Sequence, residues 1–360
     1  MKIKSIVFAV ASTLSMTALA DNASVDSAEI QKAIQLLENK GYKIDSPNEA
    51  KKSPPPGVQL KNYQLGKLDA FVSGSYGRSR YKADYSADEF LNNNKVTDDS
   101  YNLRGSFAYQ DPSNLGFQFD GLYSQNQIKY AKVSTVDLAG HAFYRNEKFL
   151  LGMFGQYKNP KLHFKDGDGS ADGFLKNGIL NTAFAKEQVF FGGEAQGYFG
   201  DLTLTGQLAR QHFINKGQDG SVDSIYSKGV VATAKADYFI NDNWKLTSGY
   251  SHNKVDFSAD AKYKIHKFSV GTEYQLTNYP VSFFGDFTRN KLNFDVNYGD
   301  VEGLYAPSQR NQTLMVGLKY NFGGNSLKSR DRTGASLDPI TTNGILDFIG
   351  QAFSQTNLAP

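Results

Sequence analysis

The sequence predicts an all-β fold, an antiparallel transmembrane β-barrel of about 12 strands with a short helix before it and a tail after it. Three observations carry that reading. An export signal opens the chain, residues 67–322 alternate between apolar and polar with a period of two, and short and long connections between those segments take turns.

The signal occupies residues 1–20. Lys2 and Lys4 make a positive start, Ile6 to Ala11 form a short apolar core, and Ala18-Leu19-Ala20 is a small-residue cleavage site ahead of Asp21. A helical membrane anchor needs about 20 apolar residues, which this core lacks. Cysteine is absent, so disulfides, thiol catalysis and thiolate metal sites are excluded. The net charge of +3 falls to about +1 once Lys2 and Lys4 are removed, so no electrostatic footprint for nucleic acid exists. The chain is polar on average yet carries 26 Phe and 21 Tyr, rings that a barrel places on outward faces and interfacial girdles.

Residues 21–66 hold one helical pattern and a linker. Asp26 is placed to cap, with Glu29 three residues on, and Ile30, Ile34 and Leu37 share a face that ends at Gly41. A helix of about 15 residues is marginal alone in water, so the stripe needs a partner: the barrel mouth, copies of itself or another protein. Pro54-Pro55-Pro56-Gly57 then forms a stiff spacer.

The strands follow. Tyr101-Leu103-Gly105-Phe107-Tyr109 fill one lane while Asn102, Arg104, Ser106 and Gln110 hold the other, and Leu115-Phe117-Phe119-Gly121-Tyr123 oppose Gln118, Asp120 and Ser124. The pattern returns at 136–144, 202–208, 230–240, 268–276 and 314–322. Strand side chains point alternately to opposite faces, so each segment has an apolar and a polar wall. Short turns fall at 111–114, 146–148, 200–201, 241–243 and 277–280, and longer polar stretches at 82–98, 158–185, 214–227, 255–261 and 297–311. The expected strands lie near 68–80, 99–110, 115–128, 133–145, 149–158, 186–199, 202–213, 228–240, 244–255, 262–276, 281–295 and 312–322. The fifth and sixth alternate poorly, which leaves counts of 10 or 14 open.

The chain resembles Gram-negative outer-membrane porin-like proteins over roughly 68–322, a likeness to a broad class. Gly317, Tyr320 and Phe322 match the terminal-strand signature read by the barrel-assembly machinery; Met315 departs from the usual polar residue, and 38 residues follow Phe322. The resemblance implies a cell outer-membrane location, lipid around the barrel, the barrel-assembly machinery as a partner, a periplasmic helix and Pro-rich linker over 21–66, the barrel over 67–322 and a periplasmic tail over 323–360. In that tail Lys328-Ser329-Arg330-Asp331-Arg332 reads as a solvated charged run, and Ile345, Phe348, Ile349, Ala352 and Phe353 fit a short amphipathic helix.

Chemical motifs are few. His141, His163, His212, His252 and His266 show no metal-ligand spacing. Asp166 to Gly173 resembles a calcium loop, but Ala171 and Asn177 stand where the EF-hand pattern needs Gly and an acid, so it reads as an external loop. No catalytic, metal or cofactor site is expected, and no cofactor. An enzyme would need a Ser or Asp beside a His on one wall.

If the apolar lanes face lipid, the candidate lumen residues are Arg104, Asp120, Asp137, His141, Arg145, Lys235, Asp237, Lys245, Lys267, Glu273, Asp286 and Lys319, with Asp69 and Glu194 in the same lanes. Their signs nearly balance, which predicts either a weakly selective path for small polar solutes or a plugged barrel with internal ion pairs. The resemblance implies the first: passive diffusion of small polar solutes. The alternatives are a non-conducting structural, adhesion or partner-docking barrel, and then an outer-membrane hydrolase. Self-association into a homo-oligomer is left open.

Overall fold

The computed structural model of the chain describes residues 66–84, 96–127, 131–164, 187–216, 222–256, 261–296, 308–323 and 326–341. The export signal, the helix over 26–41, the proline spacer, the loop 166–173 and the amphipathic pattern at 345–353 lie outside them.

Alternation becomes twelve strands: β1 (Lys67–Asp84), β2 (Val96–Gln110), β3 (Leu115–Gln127), β4 (Ala131–Arg145), β5 (Phe149–Phe164), β6 (Glu187–Phe199), β7 (Leu202–Lys216), β8 (Val222–Asn241), β9 (Trp244–Asp256), β10 (Ala261–Gln275), β11 (Val281–Val296) and β12 (Ser308–Phe322). Each pairs antiparallel with its sequence neighbour, and β12 pairs with β1 from Ala70↔Phe322 to Asp84↔Ser308, which closes the barrel. Closure satisfies the backbone hydrogen bonds of every strand, a condition that hydrocarbon imposes. At the seam, a side chain on Gly317 would meet the Phe284 ring at 2.3 Å and the Gly74 carbonyl at 2.6 Å, so only glycine fits there.

Polarity is inverted relative to a water-soluble protein. Outward residues such as Met153 (69% exposed), Leu151 (62%) and Leu208 (61%) are large and apolar, whereas inward Gln118, Gln211 and Asp237 are fully buried. A polar solvent outside would penalise that arrangement and lipid favours it. This disposes of a soluble β-protein, which would turn its apolar lanes inward. Two aromatic levels mark the belt. Near the short turns stand Tyr144, Phe149, Tyr238, Trp244, Tyr274 and Tyr320, and higher up stand Tyr76, Tyr101, Tyr123 and Tyr250, all exposed. From Tyr109 to Tyr101 the strand climbs about 26 Å, or about 20 Å along the membrane normal at the usual tilt.

Several strands outrun the expected ends on the long-loop side, β1 to Asp84, β5 to Phe164 and β8 back to Val222. Above the upper aromatic level the apolar lane stops, as at Arg78 and Arg80, while the backbone ladder continues. Composition marks the belt; hydrogen bonding sets strand length. The short turns have local causes. The Asp111 carboxylate accepts from the Ser113 and Leu115 amides at 2.9 Å, Asn146 Oδ1 accepts from the Lys148 and Phe149 amides at 2.9 Å, and Asn114 and Gly200 take left-handed φ of 71° and 60°.

After β12 the chain turns back. A helix, α1 (Leu327–Thr333), is capped by Ser326, whose Oγ accepts from the Ser329 amide at 3.3 Å. The charged run expected to be solvated is instead largely engaged with the barrel. Arg330 and Asp331 are buried: Arg330 grips Asp69 with Nε and Nη2 at 3.0 and 3.1 Å, and Thr203 donates to Asp331 at 2.6 Å. Lys328 reaches Asp201 at 2.6 Å, which holds that carboxyl below the usual carboxylate range, and Arg332 donates to the Gly200 carbonyl. Inward-facing Asp69 and Thr203 supply the partners that solvent was expected to supply. Residues 334–341 then run inside the barrel without regular secondary structure.

Candidate functional site

The lumen has two unlike walls, and the segment 334–341 lies against one of them. On that wall, β3–β8, two apolar pockets open inward. Leu337 (0% exposed) enters one formed by Phe143, Leu150 and Tyr198, and Ile340 enters another formed by Phe154, Phe190, Ala209 and Val231. Burying two such side chains contributes about 1.5–3 kcal/mol each. This explains the poor alternation of β5 and β6: their inward lanes are apolar where they receive Leu337 and Ile340.

Glutamines fix the backbone between those anchors. Gln118 accepts from the Leu337 amide at 3.1 Å and donates to the Leu337 carbonyl at 2.7 Å. Gln156 does the same for Ile340 at 2.8 and 2.9 Å. Gln207 donates to the Asp338 carbonyl at 2.8 Å. A primary amide carries a donor and an acceptor side by side, so one glutamine satisfies both backbone groups of a residue that no strand pairs. Arg145, over the Phe143 ring, donates to the Gly334 carbonyl and Ser336 Oγ, each at 2.8 Å. Sequence reasoning missed the roles of Gln118, Gln156 and Gln207; inward glutamines on β3, β5 and β7 beside inward rings were the available signal.

The other side of the lumen is charged. Eight groups form a chain of alternating sign: Asp120–Arg104 (2.7 Å), Arg104–Asp338 (2.6 Å), Asp338–Lys235 (2.5 Å), Lys235–Asp237 (3.1 Å), Asp237–Lys245 (3.6 Å), Lys245–Glu273 (3.7 Å) and Glu273–Lys319 (2.8 Å). Asp338 bridges β2 to β8 across the interior. Beside it is a cavity of about 430 Å³ lined by Ser73, Thr233, Thr247, Ser251, Asp286 and Lys267 among others. Lys267 also holds Thr341, with Nζ 2.6 Å from its hydroxyl. A smaller void of about 70 Å³ beside α1 shares Phe71, Arg104, Lys235, Lys245, Glu273, Lys319 and Asp338 with the large one, so these residues form a neck between them.

Of the residues singled out by sequence, Arg104, Lys235, Lys245, Glu273 and Lys319 thus meet at this neck, and Asp237, Asp286 and Lys267 line the cavity. Asp137 is buried on β4 opposite Lys158 in the register. Tyr320 faces outward, ring to ring with Phe322 at 4.9 Å. His141 sits between Asp120 (3.4 Å) and Glu194 (2.9 Å), with all three side chains at 0–1% exposure. That is the acid-histidine pairing an enzyme would need, but it is buried, with Gln118 donating to Asp120 at 2.7 Å and the Phe154 ring stacked on His141 at 5.6 Å. Among the described residues no group of His, Cys, Asp and Glu is arranged to hold a metal ion.

No protein-family model matches the chain, and no curated protein matches it either. Among solved structures it is similar to an outer-membrane channel from Pseudomonas putida F1, at 15% identity and TM-score 0.47 over 74% of this chain and 100% of that one. It is also similar to the translocator domain of autotransporter NalP from Neisseria meningitidis, at 10% identity and TM-score 0.39 over 72% and 90%. A FadL homologue from Pseudomonas aeruginosa follows at 10% and 0.38 over 71% and 90%. The closed ladder, the outward apolar belt and the polar interior make this chain a twelve-stranded transmembrane barrel of the outer-membrane type.

Proposed function

We propose that the chain is an outer-membrane channel for passive diffusion of small polar solutes, whose own C-terminal segment narrows the lumen to one side. The carrying observation is the hydroxyl- and charge-lined cavity of about 430 Å³, which shares the residues of its neck with the void beside α1. Its charges are paired with one another, so the path presents polar groups without a strong field of one sign. Export rests on Lys2, Lys4 and the Ala18–Ala20 site, and insertion on the Gly317, Tyr320 and Phe322 pattern of β12. A second reading, a non-conducting docking barrel, is favoured by the filling of the β3–β8 side with residues 334–341.

Planar-bilayer conductance separates the two. The unmodified chain is expected to give small, steady steps. Replacing Leu337→Asp together with Ile340→Asp, which puts carboxylates in apolar pockets, should raise the step size several-fold. Silence from both chains would reject the channel and favour docking.

A further inference from the structure

We infer that Arg104 and Lys235 form a binding site for the carboxylate of a small organic acid, which Asp338 occupies in this closed form and an entering solute takes over. The inference rests on the channel reading above and names the class of solute that the lumen selects.

The geometry is that of a carboxylate receptor. Each oxygen of Asp338 has its own cation, Oδ1 with Arg104 Nη1 at 2.6 Å and Oδ2 with Lys235 Nζ at 2.5 Å, and the two cations come from facing strands. Charge-assisted bonds of this length are strong and match a planar two-oxygen acceptor. Both cations keep a wall partner that does not depend on the segment: Asp120 for Arg104 at 2.7 Å and Asp237 for Lys235 at 3.1 Å. They therefore stay aimed at the same point when Asp338 leaves.

Charge counts in the same direction. Without Asp338 the chain of alternating groups keeps four cations, Arg104, Lys235, Lys245 and Lys319, against three carboxylates, Asp120, Asp237 and Glu273. That chain of ion pairs is one carboxylate short, and Asp338 supplies it. Asp338 is also a side chain that points away from the apolar pockets, while Leu337 and Ile340 near it are buried in the opposite wall. The adjoining cavity, about 430 Å³, has room for the body of a small acid against Phe71, Leu122, Phe284 and hydroxyls.

Competition follows. A solute must displace Asp338, so its apparent affinity for the unmodified chain is lowered by the fraction of time the site is free. The test is calorimetric titration of the refolded full chain with succinate, with sulfate at matched ionic strength as the control. Asp338→Ala vacates the site while leaving Leu337 and Ile340 in place, and should bind succinate at least about tenfold more tightly than the unmodified chain. Adding Arg104→Gln, or separately Lys235→Gln, to that variant should remove the gain. No gain in D338A, a gain that sulfate reproduces, or a gain that survives both wall substitutions would overturn the assignment. D338S provides the same comparison if D338A loses the heat-modified mobility of a folded barrel. Conductance of D338A in chloride reports on the channel separately. Succinate binding by a silent barrel would sink the channel reading alone, and conductance without binding would sink the carboxylate site alone.

Discussion

The two walls of this lumen are built for different work. The β3–β8 wall offers apolar pockets and glutamine amides, groups that recognise a peptide by its backbone and by two hydrophobic anchors. The wall from β8 round to β2 offers lysines, acids and hydroxyls, groups that hold water and small polar molecules. Residues 334–341 lie on the first and touch the second through the side chains of Asp338 and Thr341, the Ala335 amide on Asp69 and the Leu337 carbonyl on Arg104. The difference teaches that a barrel interior can be closed on one side by packing and kept wet on the other by charge. It also predicts that substitutions on the first wall release the segment, while those on the second change what passes.

The largest effect is expected from Leu337→Asp with Ile340→Asp, where about 1.5–3 kcal/mol of burial is lost at each position and a carboxylate is forced against rings. Limited proteolysis should then cut within 334–341 at sites that are protected in the unmodified chain. Next comes Arg330→Met, which strands buried Asp69 without its cation; removing one partner of such a pair costs about 3–5 kcal/mol and should lower the urea midpoint of the barrel. Gln156→Leu leaves the Ile340 amide and carbonyl unpaired, each orphan costing about 1–3 kcal/mol, and faster exchange of that amide reports it. The smallest effect belongs to the charged wall. Ser251→Ala should change segment protection by no more than about 0.5 kcal/mol of opening free energy while altering ion conductance. A Ser251→Ala variant that freed the segment would erase the distinction between the walls.

Much of the barrel was legible because strand polarity is written residue by residue. Tyr101 to Tyr109 and Leu314 to Phe322 show the lipid lane directly, and Asp111, Asn146 and Asn241 announce their turns. The strand tips above Tyr76 and Tyr101 were not legible, since both lanes turn polar there while the ladder runs on. The charged neck was half legible: Arg104, Lys235, Lys245, Glu273 and Lys319 were picked out from their lanes, but Asp338, which joins Arg104 to Lys235, was not. Its location depends on Leu337 and Ile340 fitting pockets made by Phe143, Phe154 and Phe190, a long-range match that no periodicity encodes. The broken alternation of β5 and β6 was the trace of that match, and in the sequence it looked like noise. The run Lys328 to Arg332 misled for a related reason. A charged stretch reads as solvated unless its buried counter-groups, here Asp69 and Thr203, are brought to it by the fold.

Residues 334–341 are held inside the barrel by the β3–β8 wall. Residue-resolved amide hydrogen exchange of the full chain in lipid tests it most directly, read at Leu337 and Ile340, whose amides donate to Gln118 and Gln156 at 3.1 and 2.8 Å. Protection comparable to that of the inward strands β5 and β6 is the predicted result. Exchange at the rate of a free peptide at both positions would contradict it.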